Sequence, residues 1–439
     1  MMSQLGREES LLMTYGAALE QIHTMLEPLE RERIPIEEAL GRFSARDLIA
    51  PFQIPTCPLS LRDGFALRAA DTQGAGLDHL RQFQVLGQSF PDTPAHDVPT
   101  IGSGEAVTVA TGAPIPNGAD AVLPAEIANQ RGDLIFVSLP VRTGSGVLLP
   151  GDDVRDGAPI VTEGRALTPS QMGLLAATGL SHIEVYRRPQ VAVIATGDEI
   201  IAGSESLARG RTSSGVVPTG NGHTNKPPSN AVALTAWCQR FGLTCKTWVA
   251  GDNHKALGYT LSQAMAECDA VITIGGTGPG VRDLVLQTLE DQGWEAIVQG
   301  VRLRPGRRSC FGLLADRPVF LLPGTPTAAE AAFLLVALPG LMRLAGSADP
   351  PFIVVPARLT RDLKRTKEAR QWAQAVRVRL SPGTFFLQAT PLVGRSIQEK
   401  RGRLGAAAIS HGLVLLGEGE ESARVGDVVG VLVLESGWS

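Results

Sequence analysis

Residues 191–200 read VAVIATGDEI, an apolar run that ends in a polar loop. Such a continuous run is typical of a strand buried on both faces of a parallel sheet. It is followed by a helical pattern at 230–241, an apolar run at 247–250, a helical pattern at 254–267 and an apolar run at 270–274. This alternation predicts a central three-layer α/β domain in which helices cover both faces of a mostly parallel sheet.

Two of the helices in this domain carry signals at their amino ends. Ser229 is the candidate N-cap of the 230–241 helix. Pro326 suits the first position of a later helix, and Thr327 with Glu330 could form a capping box there. These signals predict where the two helices begin.

The rest of the chain divides into regions with different residue patterns. An amphipathic helix is expected over about 10–29, and the stretch 144–179, which ends in a helix over 169–178, is expected to pack back on it. Short apolar runs separated by glycine-rich turns in the C-terminal region predict a small β-barrel or a sandwich, of which we favour the barrel. The predicted domains are a helical and mixed domain (1–50 with 144–185), a β-rich insertion domain (51–143), the α/β domain (186–346) and a C-terminal β-barrel domain (350–439).

Composition excludes several classes of protein. The 439 residues are 44% hydrophobic, which rules out a chain that is disordered throughout, and the net charge of -4 does not suit binding to nucleic acid. The longest apolar run, 331–342, is shorter than the about 20 residues that cross a bilayer. Five scattered cysteines are typical of a reducing compartment. We therefore expect a cytoplasmic protein with neither a membrane nor a nucleic-acid partner.

Polar loops occur where strands of the α/β region should end, at 196–199, 275–280, 304–307 and 323–326. The carboxyl ends of strands form the ligand crevice of open α/β sheets, and the run GGTGPG before a helix would let backbone N–H groups approach an anion. Arg304 and Arg307 supply charge for oxyanions. Asp198, Glu199 and Asp283 could hold a divalent cation. Singly, these residues fit plain turns, surface arginines or helix caps equally well; together they predict a site for a phosphorylated ligand and a metal.

Four segments resemble motifs of the molybdopterin molybdotransferase family, of the MoeA and gephyrin E-domain type. They are VAVIATGDEI at 191–200, TGAPIPNGADAVLPAE at 111–126, RPGRRSCFG at 304–312 and LPGTPTAA at 322–329. They are similar to the family's VAV-STGDEL, TGAP-P-GADAVV-E, KPGKP-FG and LPGNP-SA. Their order and spacing cover nearly the whole chain.

The resemblance implies an elongated homodimer with four domains in each chain. The implied reaction uses Mg²⁺, inserts molybdate into adenylylated molybdopterin and releases AMP, and it implies molybdoenzymes or other proteins of cofactor biosynthesis as partners. By resemblance, the catalytic residues are Asp63, Asp198 and Glu199, and the metal ligands are Glu199 and Asp283. Contacts to pterin and phosphate fall on Thr196, Gly197, Gly275, Gly276, Thr277, Gly278, Arg304, Pro305, Gly306, Arg307 and Thr325.

Several positions depart from the family motifs. The family segment Asp-Asn-Ser-Ala-Met-Asp-Gly-Tyr-Ala reads PLSLRDGFA at 58–66, so Pro58 stands in place of an acidic residue and cannot bind metal. Other family residues are also replaced: an asparagine by Leu59, a serine by Gly278, two lysines by Arg304 and Arg307, and an asparagine by Thr325. Three hypotheses stay open: a molybdotransferase, a non-catalytic protein that binds or delivers molybdopterin or the finished cofactor, and a protein for another phosphorylated pterin-like or nucleotide ligand.

Overall fold

A six-stranded sheet forms the centre of the structure, a computed structural model that describes residues 12–198, 200, 217–218, 224–225, 227–276, 284–365, 371–384, 386–392, 404–420 and 422–434. Four neighbouring strands run parallel, in the order Thr244–Ala250, Gln190–Thr196, Ala270–Ile274 and Arg317–Leu322. Cys310–Leu314 and Glu295–Val298 extend one side antiparallel. The sheet is therefore mostly parallel, as the alternation of strands and helices predicts.

Alternate side chains of strand Gln190–Thr196 enter two different hydrophobic cores, one on each face of the sheet. Helices Ser229–Arg240 and Pro326–Leu344 cover one face. Helices His254–Glu267 and Leu284–Asp291 cover the other. Burial on both sides explains why this strand reads as an unbroken apolar run.

The helix Pro326–Leu344 is long and apolar enough to cross a membrane by length and composition. Most of it is nevertheless buried inside the protein, and its central turn, Phe333–Ala337, is π-helical and fully buried. In this fold it is the core helix on one face of the sheet, which accounts for its apolar sequence.

The first helix spans Tyr15–Met25, shorter than the predicted 10–29. Thr14 caps it, its Oγ1 accepting a hydrogen bond from the N–H of Ala17. Leu26 is already extended, and the proline at position 28 disfavours helical backbone in the residue before it. Residues 1–11 lie outside the described residues.

The expected packing of the 169–178 segment on this first helix is wrong. The first helix packs on the long core helix. Its Ile22 lies so close to Gly340 of the core helix that a Cβ added to Gly340 would be 2.7 Å from Ile22 Cγ2. Helix Pro169–Ala177 packs instead on strand Pro159–Val161 and the turn Ile36–Glu38, and its Leu175 shares a hydrophobic core with the antiparallel strands Arg31–Pro35 and His182–Tyr186. The residue pattern of each helix shows that it has an apolar face, but it does not show which part of the protein covers that face.

Two of the predicted helix caps are also wrong. Ser229 is the first residue inside its helix and not the N-cap. Thr327 lies within the later helix, whose N-cap is Thr325. Glu330 does not reach back to the helix start, because its carboxylate binds Trp237 and Arg377 from other elements.

A second six-stranded sheet lies within the predicted β-rich region. Its strands are, in order across the sheet, Ala121–Pro124, Gly64–Leu67, Glu105–Val109, Arg81–Ser89, Leu134–Val137 and Asn129–Arg131. Hydrophobic cores lie on both sides of it. Asp63 immediately precedes its strand Gly64–Leu67.

The C-terminal strands close into a five-stranded barrel, which confirms the barrel prediction. The order around the barrel is Ala373–Ser381, Leu387–Pro391, Val354–Leu359, Val428–Val433 and Gly412–Leu416, and the last strand pairs with the first. Strand Leu387–Pro391 was not anticipated from the sequence.

Short elements complete the described chain. They are the strands Leu48–Ile49, Leu59–Ser60, Val147–Leu148, Pro159–Val161, Val217–Pro218, Thr224–Asn225 and Leu303–Arg304, the 3₁₀ turns Ile36–Glu38, Ala69–Thr72 and Ala125–Ile127, and the helix Leu404–Ala408.

Candidate functional site

The carboxyl ends of the four parallel strands form one continuous edge. The N–H of Gly197 donates to the carbonyl of Ala250 at 3.1 Å, which joins the loops after two neighbouring strands. The N–H of Gly275 donates to the carbonyl of Leu322 at 3.0 Å, which joins the next pair. The structure therefore brings together three of the four predicted loops.

Gly275 and Gly276 allow the backbone to turn closely over the strand ends. Their φ angles are +103° and +64°, in the region that disfavours side chains. A Cβ at Gly275 would lie 2.8 Å from Thr196 Oγ1, and a Cβ at Gly276 would lie 2.2 Å from a methyl group of Val285. The Thr196 hydroxyl itself donates to the carbonyl of Ile274 at 3.1 Å. Only glycine fits this backbone path.

Two aspartates face each other across neighbouring strand-end loops. The Asp198 Oδ1 atom accepts a hydrogen bond from the N–H of Asp252 at 2.8 Å, and the N–H of Asp198 lies 3.4 Å from Oδ2 of Asp252. Asp252 was missed by sequence reasoning. The signal for it was available, because Gly-Asp-Asn follows the end of strand Thr244–Ala250 in the same way that Gly-Asp follows Thr196.

The carboxylate oxygens at this edge suit a hard cation such as Mg²⁺. Mg²⁺ binds through one or two carboxylates together with substrate phosphates and water, and Asp198 and Asp252 offer two carboxylates on adjoining loops. Within the part of the chain that the structure describes, no group of three or more His, Cys, Asp and Glu side chains is arranged so that it could hold a metal ion by itself. The predicted residues Glu199, Thr277, Gly278 and Asp283 lie outside the described residues. The residues described thus fit a cation that is held jointly with a phosphorylated ligand.

The loop at 323–325 is fixed from a neighbouring helix. The side-chain amide of Asn230 donates to the carbonyl of Gly324 at 2.8 Å. A Cβ at Gly324 would lie 3.3 Å from the Cα of Gly275, so this loop abuts the glycine turn. Thr325 is the N-cap of the core helix, with its side chain free of any capping bond. From the sequence, Asn230 is only the first residue of a predicted helix. Its contact with Gly324 depends on how that helix packs against the loop.

The core helix is anchored by a buried polar cluster. Trp237 Nε1 donates to one oxygen of Glu330 at 2.9 Å, and Arg377 forms an ion pair with the other oxygen at 2.5 Å. Arg377 also donates to Ser410 Oγ at 2.9 Å. Burial lowers the pKa of the Arg377 guanidinium, and Glu330 opposes that shift. Because Arg377 belongs to the barrel, this cluster joins the barrel to the helix that begins at the site.

The arginine loop lies beside the core helix and the barrel. Ser309 Oγ donates to the carbonyl of Gly306 at 2.6 Å and closes the turn. A Cβ at Gly306 would be 3.6 Å from the Cβ of Ala332 in the core helix. Within the described chain, no hydrogen bond joins 304–307 to the other three loops, and neither Arg304 nor Arg307 forms an ion pair. The loop therefore carries positive charge that no described carboxylate neutralises.

Asp63 lies in the β-rich sheet domain. Its Oδ1 atom accepts hydrogen bonds from the N–H of Thr111 at 2.7 Å and from the Thr111 hydroxyl at 3.0 Å, and these bonds lower the pKa of the carboxyl. Among the described residues, no hydrogen bond or ion pair connects Asp63 to the strand-end loops. Nearby, the carbonyl of Pro58 accepts the N–H of Ile115 at 3.0 Å, a purely backbone role.

Two family models match the chain. The MoeA N-terminal region (domain I and II) matches residues 13–179, and a probable molybdopterin binding domain matches residues 192–343. The second match includes nearly all of the central sheet and all four polar loops.

Known proteins and structures are similar over most of the chain. A molybdopterin molybdenumtransferase from Staphylococcus aureus (strain COL) is 26% identical over 420 residues, 95% of each chain. A molybdopterin molybdenumtransferase 2 from Mycobacterium tuberculosis is 29% identical over 351 residues, 78% of this chain and 82% of its own. A molybdopterin biosynthesis MoeA protein from Pyrococcus horikoshii OT3 superposes with a TM-score of 0.76 at 26% identity, covering 96% of this chain and all of the other.

Proposed function

Because this chain belongs to the MoeA family of molybdopterin molybdotransferases, we propose that it acts in molybdenum cofactor biosynthesis, inserting molybdate into adenylylated molybdopterin with release of AMP. The observation that carries the proposal is the continuous strand edge, on which Asp198 and Asp252 lie on neighbouring loops and Thr196, at the end of the strand that precedes Asp198, contacts the glycine turn at 275–276. An edge with carboxylates beside glycine-containing backbone turns suits a phosphorylated ligand that is bound together with a cation.

The phosphate-binding part of the site is proposed to be the glycine turn and the arginine loop. Backbone N–H groups at the turn suit phosphate oxygens, and the guanidinium groups of the loop suit planar, paired contacts with oxyanions. By the family resemblance, the contacts to pterin and phosphate are made by Thr196, Gly197, Gly275, Gly276, Thr277, Gly278, Arg304, Pro305, Gly306, Arg307 and Thr325.

The cation-binding part is proposed to be the carboxylates at the same edge. Asp198 and Asp252 would contact the cation, and the resemblance adds Glu199 and Asp283. Mg²⁺ supplies charge neutralisation at phosphate oxygens when it is bound. Asp198 keeps Asp252 in place through its backbone hydrogen bond, so its carboxylate both contributes charge and orients its neighbour.

Three further features are proposed on the resemblance. The protein acts as a homodimer in the cytoplasm, Asp63 takes part in catalysis, and molybdoenzymes or other cofactor-biosynthesis proteins receive the product. The hydrogen bonds from Thr111 support the second feature in one respect, because they favour the ionised form of Asp63.

A non-catalytic protein that binds or delivers molybdopterin is the second candidate. Pro58 favours it, because the family has an acidic residue there and a proline side chain has no donor or acceptor. Replacing Pro58 with Asp would restore the family residue beside Ser60, in the short strand Leu59–Ser60.

Release of AMP distinguishes the two candidates. Purified protein is incubated with adenylylated molybdopterin and Mg²⁺, with and without molybdate, and AMP is quantified beside bound ligand. A transferase releases AMP in a molybdate-dependent manner and loses this release with a chelator. Tight binding with no release from the wild type, and release gained by Pro58→Asp, would establish the binding protein instead. Absence of both binding and release would contradict both candidates.

A further inference from the structure

The arginine loop is physically joined to the first strand of the barrel. Leu303–Arg304 forms a short strand that pairs in parallel with Ala373 and Gln374. The N–H of Ala373 donates to the carbonyl of Arg302 at 2.7 Å, directly before the loop. The position of the loop is therefore set by the barrel as well as by the α/β domain.

The side chain of Arg304 is stacked on an aromatic ring of that barrel. Its guanidinium carbon lies 4.5 Å from the centroid of the Trp372 ring, close enough for a cation–π interaction. Trp372 is only 4% exposed, whereas Arg304 is exposed to solvent. A buried ring thus presents one face to a charged group whose other face and edges remain available.

The backbone of Trp372 is fixed from within the barrel by a buried arginine. Arg365 donates to the carbonyl oxygens of Trp372, of Gly417 at 2.8 Å and of Glu420 at 3.1 Å. Arg365 is 8% exposed, so its charge is satisfied mainly inside the protein. Arg365 thereby ties the backbone of Trp372 to the turn at 417–420, which gives the tryptophan a defined location.

We propose that Trp372 is a positioning residue for Arg304, and that it makes this position selective for arginine over lysine. The planar guanidinium stacks on the ring and still offers N–H groups along its edge to an oxyanion, which an ammonium group cannot do in the same geometry. The proposal rests on the proposed function in one respect, namely that Arg304 binds an oxyanion of the substrate. It assigns to the barrel the orientation of that contact.

A double-mutant cycle tests the coupling. The affinity for adenylylated molybdopterin is measured for the wild type, Trp372→Leu, Arg304→Lys and the double variant. Trp372→Leu should weaken binding about two- to five-fold, as expected for a cation–π contact at an exposed site, and Trp372→Phe should retain most of the affinity. In the Arg304→Lys background, Trp372→Leu should have a much smaller effect. An equal loss in both backgrounds would overturn the proposal, because a merely structural role would not depend on the residue at 304.

A second readout does not require the substrate. Modification of arginine by phenylglyoxal is followed by peptide mass spectrometry, with Arg307 in the same loop as internal control. Trp372→Leu should speed modification of Arg304 and leave Arg307 unchanged, and Trp372→Phe should behave like the wild type. An unchanged rate at Arg304 would overturn the positioning role. If this result is obtained as predicted but no variant binds adenylylated molybdopterin, the proposed function fails and the Trp372–Arg304 coupling stands.

Discussion

The carboxylate of Asp198 accepts a hydrogen bond from the backbone N–H of Asp252 at 2.8 Å, across the ends of two neighbouring parallel strands. The bond ties the loop after Thr196 to the loop after Ala250 and keeps two acidic residues next to each other. This bond is therefore the structural link between the two acidic residues that we propose as cation ligands.

Substitution of Gly276 by alanine should destabilise the protein through a steric clash. The new Cβ would meet Val285 Cγ2 at 2.2 Å, and the φ of +64° adds strain. Gly242→Ala is the matched control, because its φ is +74° but nothing lies within 4 Å. We expect Gly276→Ala to cost about 1–3 kcal/mol more than the control, the range for overpacking, measured by urea unfolding. Val285→Ala should restore part of the difference; equal costs for the two glycine variants would contradict the clash.

The ion pair between Glu330 and Arg377 should be costly to break. The exposed fractions of its two side chains are only 13% and 10%. Arg377→Met leaves the Glu330 charge buried without its partner, and we expect a loss of about 3–5 kcal/mol in the free energy of unfolding. The double variant Glu330→Gln/Arg377→Met should be more stable than Arg377→Met alone. Lys246→Met, which breaks an exposed pair with Glu267, should have a far smaller effect.

The same unfolding measurements test whether the ion pair between Glu330 and Arg377 couples the barrel to the α/β domain. Arg377 belongs to the barrel and Glu330 to the core helix, so unfolding of the barrel should become separable from that of the α/β domain in Arg377→Met. A single transition that remains at its wild-type midpoint would be the contrary result.

Stability should depend on Asp269 at acidic pH. Burial alone would raise the pKa of this carboxyl, but two hydrogen bonds from Arg187, at 2.7 and 2.9 Å, and one from the N–H of Gln190 lower it overall. A lowered pKa in the folded state gives stability that is present above the unfolded value of about 3.9 and is lost as the pH falls through the folded value. Asp269→Asn should therefore be less stable than the wild type at pH 7, and the difference should shrink as the pH falls below about 4. A difference that stays constant over that range would refute the assignment.

The α/β domain was the most predictable part of the fold. Helix His254–Glu267 and strand Ala270–Ile274 lie where their patterns predict, because here one face or both faces of each element are buried and the sequence period records it. The caps were less predictable. Ser229 has a suitable side chain, but its helix begins one residue earlier than predicted, at Ser229 itself. Pro326 is the first residue of its helix, as predicted, but the N-cap is Thr325 and not Thr327.

Within the site, local sequence identified loops and not their contacts. The glycine turn and Asp198 were found because polar residues follow a buried strand. Asn230 and Trp372 were not found in this way. Asn230 reaches the loop at 323–325 from a packed helix, and Trp372 reaches Arg304 from the barrel. Asp63 was proposed from resemblance, and within this chain the structure leaves it in the β-rich sheet, bonded to Thr111. Contacts between distant segments depend on docking, which no local pattern encodes.

The most direct test of the strand-edge site is the rate of AMP release from adenylylated molybdopterin, with molybdate, as a function of Mg²⁺ for Asp198→Asn. The asparagine oxygen can still accept the N–H of Asp252, so the loops stay joined while one charge is removed. Asp291→Asn is the matched control, since Asp291 ends a helix that runs away from this edge. We predict that Asp198→Asn needs at least about ten-fold more Mg²⁺ or loses turnover to that extent, with the control unchanged. Release at the wild-type rate with an unchanged Mg²⁺ requirement would contradict the assignment of the site to the strand edge.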